Sequence, residues 1–560
     1  MFLKSPLFLV FLISVFLTKG LYSQDIARII KDVSYLASDT TQGRFPGTVG
    51  DSLAAYYIAN SFKNDKVDSF DFGYFQEFEL QTGIEITAHN SLSIGSTSAS
   101  LFVDFTPMSI SADGEFSSGV FEIIKDSLTD GAISLKAKGK WILVDLNDTE
   151  ITIREIMRGA TNASRNESLG IIFKVESSDQ FETFSLEQIQ DSNEFRTKSR
   201  VIHSRNSFRT DIPVLYVTND FFDTAIANSD SLLITAKLEI KSVKRNTQNV
   251  IGVVKGDDSP DKYLIIGAHH DHLGFGGKDS GSRMPDSVAI HFGADDNASG
   301  TSTVLSLASI ISKKPLSVSV IFVAFGAEEM GLIGSQHMVA NLPIAKDSII
   351  AMINYDMVGR MEEQILNIGG VKTAIDFESI LAAIQTNMDI RTSSFGSGPS
   401  DHSSFNSEEI PVLYFHTGIH TDYHTPNDNI SKINFEGIVQ VIQYSMKLMN
   451  ALTSSKVNLA YQQTESPSPK GSMTSLNVTL GIIPDVTGGN NNGLTVQGVN
   501  PNGIAKRANM IKGDRIVNID GTTIRNIYEY MEKLQTIKPR QVVHITIVRD
   551  GKERVKLVQF

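Results

Sequence analysis

Residues Tyr263–Gly274 read YLIIGAHHDHLG, an apolar run followed at once by three histidines and an aspartate. An apolar run without polar alternation is what a strand needs when helices cover both faces of its sheet. The same pattern repeats outward from this stretch. VIGVVKG precedes it, and SVSVIFVAF, SIIAMINYD and PVLYFH follow. Between and after these runs lie helical patterns: SGTSTVLSLASIIS, LIGSQHMVANL, ILAAIQTN and EGIVQVIQYSMKLMNAL. Strands alternating with helices predict an α/β domain over 246–452, with a mixed, mostly parallel sheet sandwiched by helices.

Ionisable residues gather where those strands end. HHDHLG (His269 to Gly274) follows YLIIGA, and GADDNASG (Gly293 to Gly300) leads into a helix. GAEEMGLIGS (Gly326 to Ser335) follows VIFVAF, Asp356 follows SIIAMINY, and FHTGIHTDYHTPND follows PVLYF. Nine of the 12 histidines fall between His269 and His424. That clustering beside acids weakens the bland reading of each as an isolated hydrogen-bonding histidine. In open α/β sheets ligands collect beyond the carboxyl ends of the strands, so all five groups are expected to meet there. Acid pairs such as Asp295–Asp296 and Glu328–Glu329 are ordinary on a helix surface. Directly beyond buried strands they repel unless a cation joins them.

The chain contains no cysteine, which excludes disulfides, thiolate metal sites and a cysteine nucleophile. Any metal must be held by His, Asp and Glu, a donor set suited to divalent ions and best matched by Zn²⁺. One carboxylate bridging two ions predicts a two-metal hydrolytic site. There the ions acidify a bridging water and a free neighbouring carboxylate accepts its proton. Asp and Glu outnumber Lys and Arg by 63 to 50, and the net charge of −13 argues against nucleic acid as a partner.

The motifs HHDHLG, GADDNASG, FGAEEMGLIGS, NYDMVG, SDHSSF and DYHTPND, in this order, resemble the M28 family of zinc aminopeptidases; the likeness covers 24–85 and 246–452. The resemblance implies two Zn²⁺ per chain. His269 and Asp356 would hold one ion, Glu329 and His424 the other, and Asp295 would bridge them. Glu328 would be the general base, Asp271 would orient His269, and Tyr423 would hydrogen-bond the developing oxyanion. His270 and His272 are expected to be structural or wall residues, and His291, His416 and His420 loop hydrogen-bonders. Asp401 and His402 are expected either to line the pocket or to serve the loop alone.

The rest of the chain divides by composition. Lys4, the apolar run Leu7–Leu17 and the small residues Gly20 and Ser23 read as a signal peptide over 1–23, hence a secreted or periplasmic product of bacterial type. The apolar run falls short of a membrane span, and none is expected after cleavage. Residues 24–85 open the peptidase domain. Short alternating runs over 86–245 predict a β-rich inserted domain at the place where the family carries a protease-associated (PA) module. Residues 453–472 read as a linker. Residues 473–560 resemble a PDZ domain, with LGIIP (Leu480 to Pro484) as its carboxylate-binding loop; such a domain implies a C-terminal peptide ligand. Taken together, the reading predicts an exopeptidase removing amino-terminal residues from peptide substrates. The alternatives are another M28-type reaction (carboxypeptidase or glutaminyl cyclase) and a non-catalytic peptide-binding receptor. The sequence is silent on oligomeric state.

Overall fold

The computed structural model describes residues 26–146, 151, 153–178, 199–203, 209–229, 232–277, 280–284, 287–454, 457–464, 478–484, 493–499, 503–525, 527–538 and 540–560. The signal peptide expected over 1–23 lies outside the described residues, as does half of the expected linker, residues 455–456 and 465–472. No helix among the described residues is long and apolar enough to cross a membrane.

The chain divides into two compact units. One holds the described residues up to Phe78, with Asn246–Gly276 and Gly281–Phe560; the other is Glu79–Arg245 with Gly277–Ser280. In the first unit the strands are β1 (Ile240–Val254, paired through Val250–Val254), β2 (Ser259–His269), β3 (Val318–Phe325), β4 (Ile349–Tyr355), β5 (Ile365–Gly369), β6 (Asp389–Thr392) and β7 (Val412–His416). Their order is β6-β5-β7-β4-β2-β3-β1. The pairs β2–β3, β2–β4, β4–β7 and β5–β6 are parallel, while β1–β3 and β5–β7 are antiparallel.

Burial explains the unalternating strand sequences. On β2, Leu264 and Ile266 enter one core with Val320, Phe322 and Ile353. Ile265, between them, enters the opposite core with Ile321, Val323 and Met352. The first core is covered by α1 (Val49–Asn64), α2 (Gly300–Lys313) and α5 (Phe435–Leu452). On α5, Ile438, Val441, Ile442, Ser445 and Leu448 repeat at helical spacing and are buried. The second core takes Met338 from α3 (Ile333–Ala340) and Phe405 from α4 (His402–Ser407). Because β2, β3, β4 and β7 run parallel, their carboxyl ends deliver His269, Gly326, Asp356 and Thr417 to one edge of the sheet.

The unit Glu79–Arg245 carries a five-stranded sheet, centred on Gly170–Val175 and Trp141–Asp145, and a four-stranded one. It also contains helices at Ile153–Arg165 and Asn219–Ala227, which the alternating sequence pattern did not disclose. Residues 478–560 form a further sheet with its own core around Leu480, Val496, Ile516 and Ile545.

Candidate metal centre

Each functional side chain leaves the sheet at a strand end or in the turn just beyond. His269 ends β2, and its Nδ1 lies 3.2 Å from the backbone oxygen of Asp271, which turns Nε2 inward. The Asp271 carboxylate accepts the amides of Glu328 (3.0 Å) and Glu329 (3.2 Å), so the turn after β3 is held by the turn after β2. His424 Nδ1 lies 3.0 Å from the oxygen of Gly281, which leaves its Nε2 facing the acids. An imidazole anchored through one nitrogen presents the other as a donor of fixed direction.

The central carboxylate is Asp296. Its Oδ1 is 3.2 Å from His269 Nε2, and Asp356 Oδ1 is 3.5 Å from that same nitrogen. Its Oδ2 is 3.1 Å from His424 Nε2, which is 3.2 Å from Glu329 Oε1. His272 Nδ1 is 2.9 Å from the same Glu329 oxygen and 3.8 Å from Asp296 Oδ2. Two donor groups able to hold a metal result: His269, Asp296 and Asp356, and His272, Asp296 and Glu329. They share Asp296, one oxygen to each side. Glu328 belongs to neither; its Oε2 is 4.0 Å from His269 Nε2.

Here the structure corrects the sequence reading. Asp295, expected to bridge, is turned away. Its Oδ1 accepts from the amide of Gly359 (2.6 Å) and the hydroxyl of Ser299 (3.1 Å), and its Oδ2 faces His420 Nε2 at 3.1 Å. The cause lies 133 residues on. The buried carboxylate of Asp428 accepts the amides of both Asp295 and Asp296, and the Asn297 side chain binds Tyr355 O and the amides of Gly300 and Met357. Those bonds fold the segment so that consecutive aspartates point to opposite sides.

His269, Glu329, Asp356 and His424 are brought together, with Glu328 beside them. Asp271 acts on His269 through its backbone oxygen, while its carboxylate, 3.7 Å from His269 Nδ1, holds the Glu328 and Glu329 amides. Tyr423 stacks on His424 with ring centroids 3.8 Å apart. His270 pairs with Asp51 at 3.1 Å, away from the cluster, but His272, expected to be a wall residue, is inside it. His291 binds Ser282 and the Ala289 oxygen, and His416 accepts from the Gly418 amide. Asp401 and His402 are buried, with His402 stacked on Tyr414.

One residue went unnoticed in the sequence. Arg44, fully buried, donates to the backbone oxygens of His270 (2.7 Å), Phe292 (2.8 Å), Gly293 (3.0 Å) and Leu36. It ties the turn carrying His269 and His272 to the one carrying Asp296. The only signal was its place in the turn-rich TTQGRFPGTVGD, which reads as loop punctuation.

Charge in the cluster is unbalanced. Burial pushes Glu328 well above the ordinary carboxylate range; Glu329, Asp401 and Asp356 push it further, against the pull of His269. Glu329 is pulled the other way: burial opposes ionisation, but His424 and His272 outweigh it. Burial would lower His424, yet Glu329 and Asp296 raise it to about 10. The same acids, Glu328 and Asp356 at His269 and Glu329 and Asp296 at His424, raise those two imidazoles against the effect of burial. Among the described residues the buried guanidinium of Arg44 is spent on backbone oxygens. A cysteine-free, anion-rich set of converging nitrogens and oxygens fits a pair of divalent ions.

Residues 249–449 match the model of peptidase family M28, and residues 478–557 match that of the PDZ domain. Aminopeptidase YwaD of Bacillus subtilis (strain 168) is 32% identical over 221 residues, which is 37% of this chain and 45% of the relative. An aminopeptidase of Pseudomonas aeruginosa (strain UCBPP-PA14) is 32% identical over 156 residues, 27% of this chain and 26% of the relative. The matched region thus spans less than half the length of these curated relatives. Among solved structures, BSAP, a zinc aminopeptidase from Bacillus subtilis, aligns over 78% of this chain and 97% of its own, at 23% identity and a TM-score of 0.48.

Proposed function

The chain carries a family M28 peptidase domain at 249–449 and a PDZ domain at 478–557, and from that premise we propose that it is a secreted or periplasmic two-zinc aminopeptidase acting on peptides. The observation that carries the reading is the pair of donor groups sharing Asp296, with Glu328 4.0 Å from His269 but a member of neither group. His269, Asp296 and Asp356 would hold one ion, and Glu329 and His424, with Asp296, the other. Zinc bound there supplies Lewis-acid polarisation of a carbonyl and acidification of water.

The remaining work falls to the chain's own residues. Glu328, whose carboxyl is pushed upward by burial, takes a proton from the attacking water and returns it to the leaving amine. Its backbone amide, fixed on Asp271, keeps that carboxyl in place. Tyr423, stacked on His424, supplies a phenolic donor for the developing oxyanion. The unit Glu79–Arg245 is read as a PA-like inserted module. The PDZ domain offers Leu480–Pro484 to the carboxylate of an extended peptide, which joins its sheet by strand addition. The export signal rests on the amino-terminal sequence.

The test is a panel of aminoacyl-p-nitroanilides and short peptides, each with a free or acetylated amino terminus, assayed on protein of measured metal content. Cleavage of the free forms alone, with two metals per chain, is expected. Cleavage of blocked peptides from the carboxyl end would replace aminopeptidase with carboxypeptidase action. Glutamine cyclisation with a single metal, or two metals without turnover, would overturn the proposal.

A further inference from the structure

His272 is a fully buried imidazole, and neither of its ring nitrogens has a hydrogen-bond partner among the described residues. Its Nδ1 nevertheless lies 2.9 Å from Glu329 Oε1, without the alignment of a hydrogen bond. Leaving a buried polar atom without a hydrogen bond costs about 1–3 kcal/mol. Among the described residues, Nδ1 here has only the carboxylate oxygens it shares with His424 in reach. Of the nearby buried histidines, His270 and His402 each also leave Nδ1 unpartnered among the described residues, while the others nearby make side-chain contacts. His291 is held at both nitrogens, by Ser282 and Ala289, and His270 is held by Asp51.

The direction of the ring gives the reason. His272 Nδ1 faces Glu329 Oε1 and Asp296 Oδ2 at 2.9 and 3.8 Å, and His424 Nε2 faces the same two oxygens at 3.2 and 3.1 Å. Donors arranged tetrahedrally around one zinc ion, each at its usual bond length, stand roughly 3.4 Å from one another. The observed separations bracket that value. The ring is also held where it is. The His272 amide donates to the Arg44 oxygen at 3.2 Å. Gly293 lies against the ring, where a Cβ would fall 2.6 Å from its carbons, so only glycine leaves the imidazole this place.

We propose that His272 is a direct ligand of the second ion. Four protein donors, His272, His424, Asp296 and Glu329, then surround that position, against three, His269, Asp296 and Asp356, at the first. The proposal rests on the two-ion reading and refines it. The two positions are unequal: the second is richer in nitrogen and binds zinc or cobalt more tightly, while the first, richer in oxygen, binds harder ions in relative preference. Metal added stepwise to the metal-free protein should fill the second position first.

The test is stepwise titration of the full-length, metal-free protein with Co²⁺, read by visible absorption and by chelator competition. The variants are His272→Asn and, as a control, His291→Asn. X-ray absorption at the zinc edge of the two-zinc wild type counts imidazoles per ion without any variant, so a misfolded substitution cannot hide the answer. Two equivalents are expected, with an average of about 1.5 imidazoles per zinc if His272 binds and about 1 if it does not. For His272→Asn, the tighter step should weaken by more than the roughly 10–100-fold typical of a residue that only supports a ligand, and its cobalt spectrum should change, while His291→Asn matches wild type. Two equivalents with about one imidazole per zinc, or an unchanged tight step in His272→Asn, would overturn the assignment and leave the two-ion reading standing. Fewer than two equivalents in wild type would overturn both.

Discussion

Between Glu79 and Arg245 the buried polar residues among those described are threonines, serines and Asn90, all uncharged; around the carboxyl ends of β2 to β7, Arg44, Asp271, Asp296, Asp401 and Asp428 are buried together with six histidines. Both regions fold on apolar strands. One satisfies its interior with hydroxyls and amides that bond to nearby backbone, as Thr210 does with Ile110 and Ile212. The other sequesters a cluster of acids whose partners among the described side chains are mainly histidines, with Arg360 on Asp428. Burying charge is costly unless it is paired or coordinated, so the contrast separates the region that binds something from the region that packs.

The contrast is broken most directly at Asp296. Asp296→Ala should abolish turnover and reduce bound metal below two per chain, because both donor groups contain it. Asp295→Ala, one residue away, should keep both metals. Metal analysis of the two purified variants checks this; equal metal loss in both would return the bridging role to Asp295. Next comes Glu328→Gln, expected to keep both metals and lose about 10²–10⁴-fold in kcat. Near-wild-type turnover in that variant would remove Glu328 as the base.

These two experiments also mark how far the sequence could be read. Four ionisable groups after apolar runs, and a fifth opening a helix, were enough to place the sheet and the crevice, because strand direction depends on burial, which composition records. The choice between Asp295 and Asp296 was not legible. It depends on Asp428 capturing two amides from a distant loop, and no local pattern states that. The placement of His272 beside Glu329 was not legible for a related reason. His272 differs from its neighbour His270 only in the direction its side chain leaves the turn, which Arg44 and Gly293 determine from elsewhere in the chain.

Arg44 sharpens the comparison from the stability side. Its guanidinium serves four backbone oxygens and no carboxylate among the described residues, so Arg44→Ala strands several buried acceptors at about 1–3 kcal/mol each. A loss of about 3 kcal/mol or more is expected in urea unfolding of the full chain. Arg44→Lys should recover little of it, since an ammonium on a flexible stem cannot span oxygens arranged for a planar fork. Full rescue by lysine would show that the charge matters and the geometry does not.

The smallest effect belongs to the other unit, where a charged cluster sits in water. Glu239 accepts from Thr87 (2.6 Å), pairs with His89 (2.6 Å) and lies 3.1 Å from Lys241. The hydrogen bond from Thr87, then those from His89 and Lys241, hold its carboxyl down at about 2 against an ordinary value of 4.5. A depressed carboxyl stabilises the fold fully above its ordinary value and loses that contribution as pH falls from 4.5 towards 2. Glu239→Gln should therefore differ from wild type only above this window, and the two should converge at its acid end. Solvent screens the cluster, so the difference should be small even at neutral pH. Hydrogen exchange of residues 232–245 at pH 7 and at pH 3 reads it locally. A large neutral-pH loss there would mean that this exposed cluster is worth as much as the buried one, and exposure would then no longer separate the two regions.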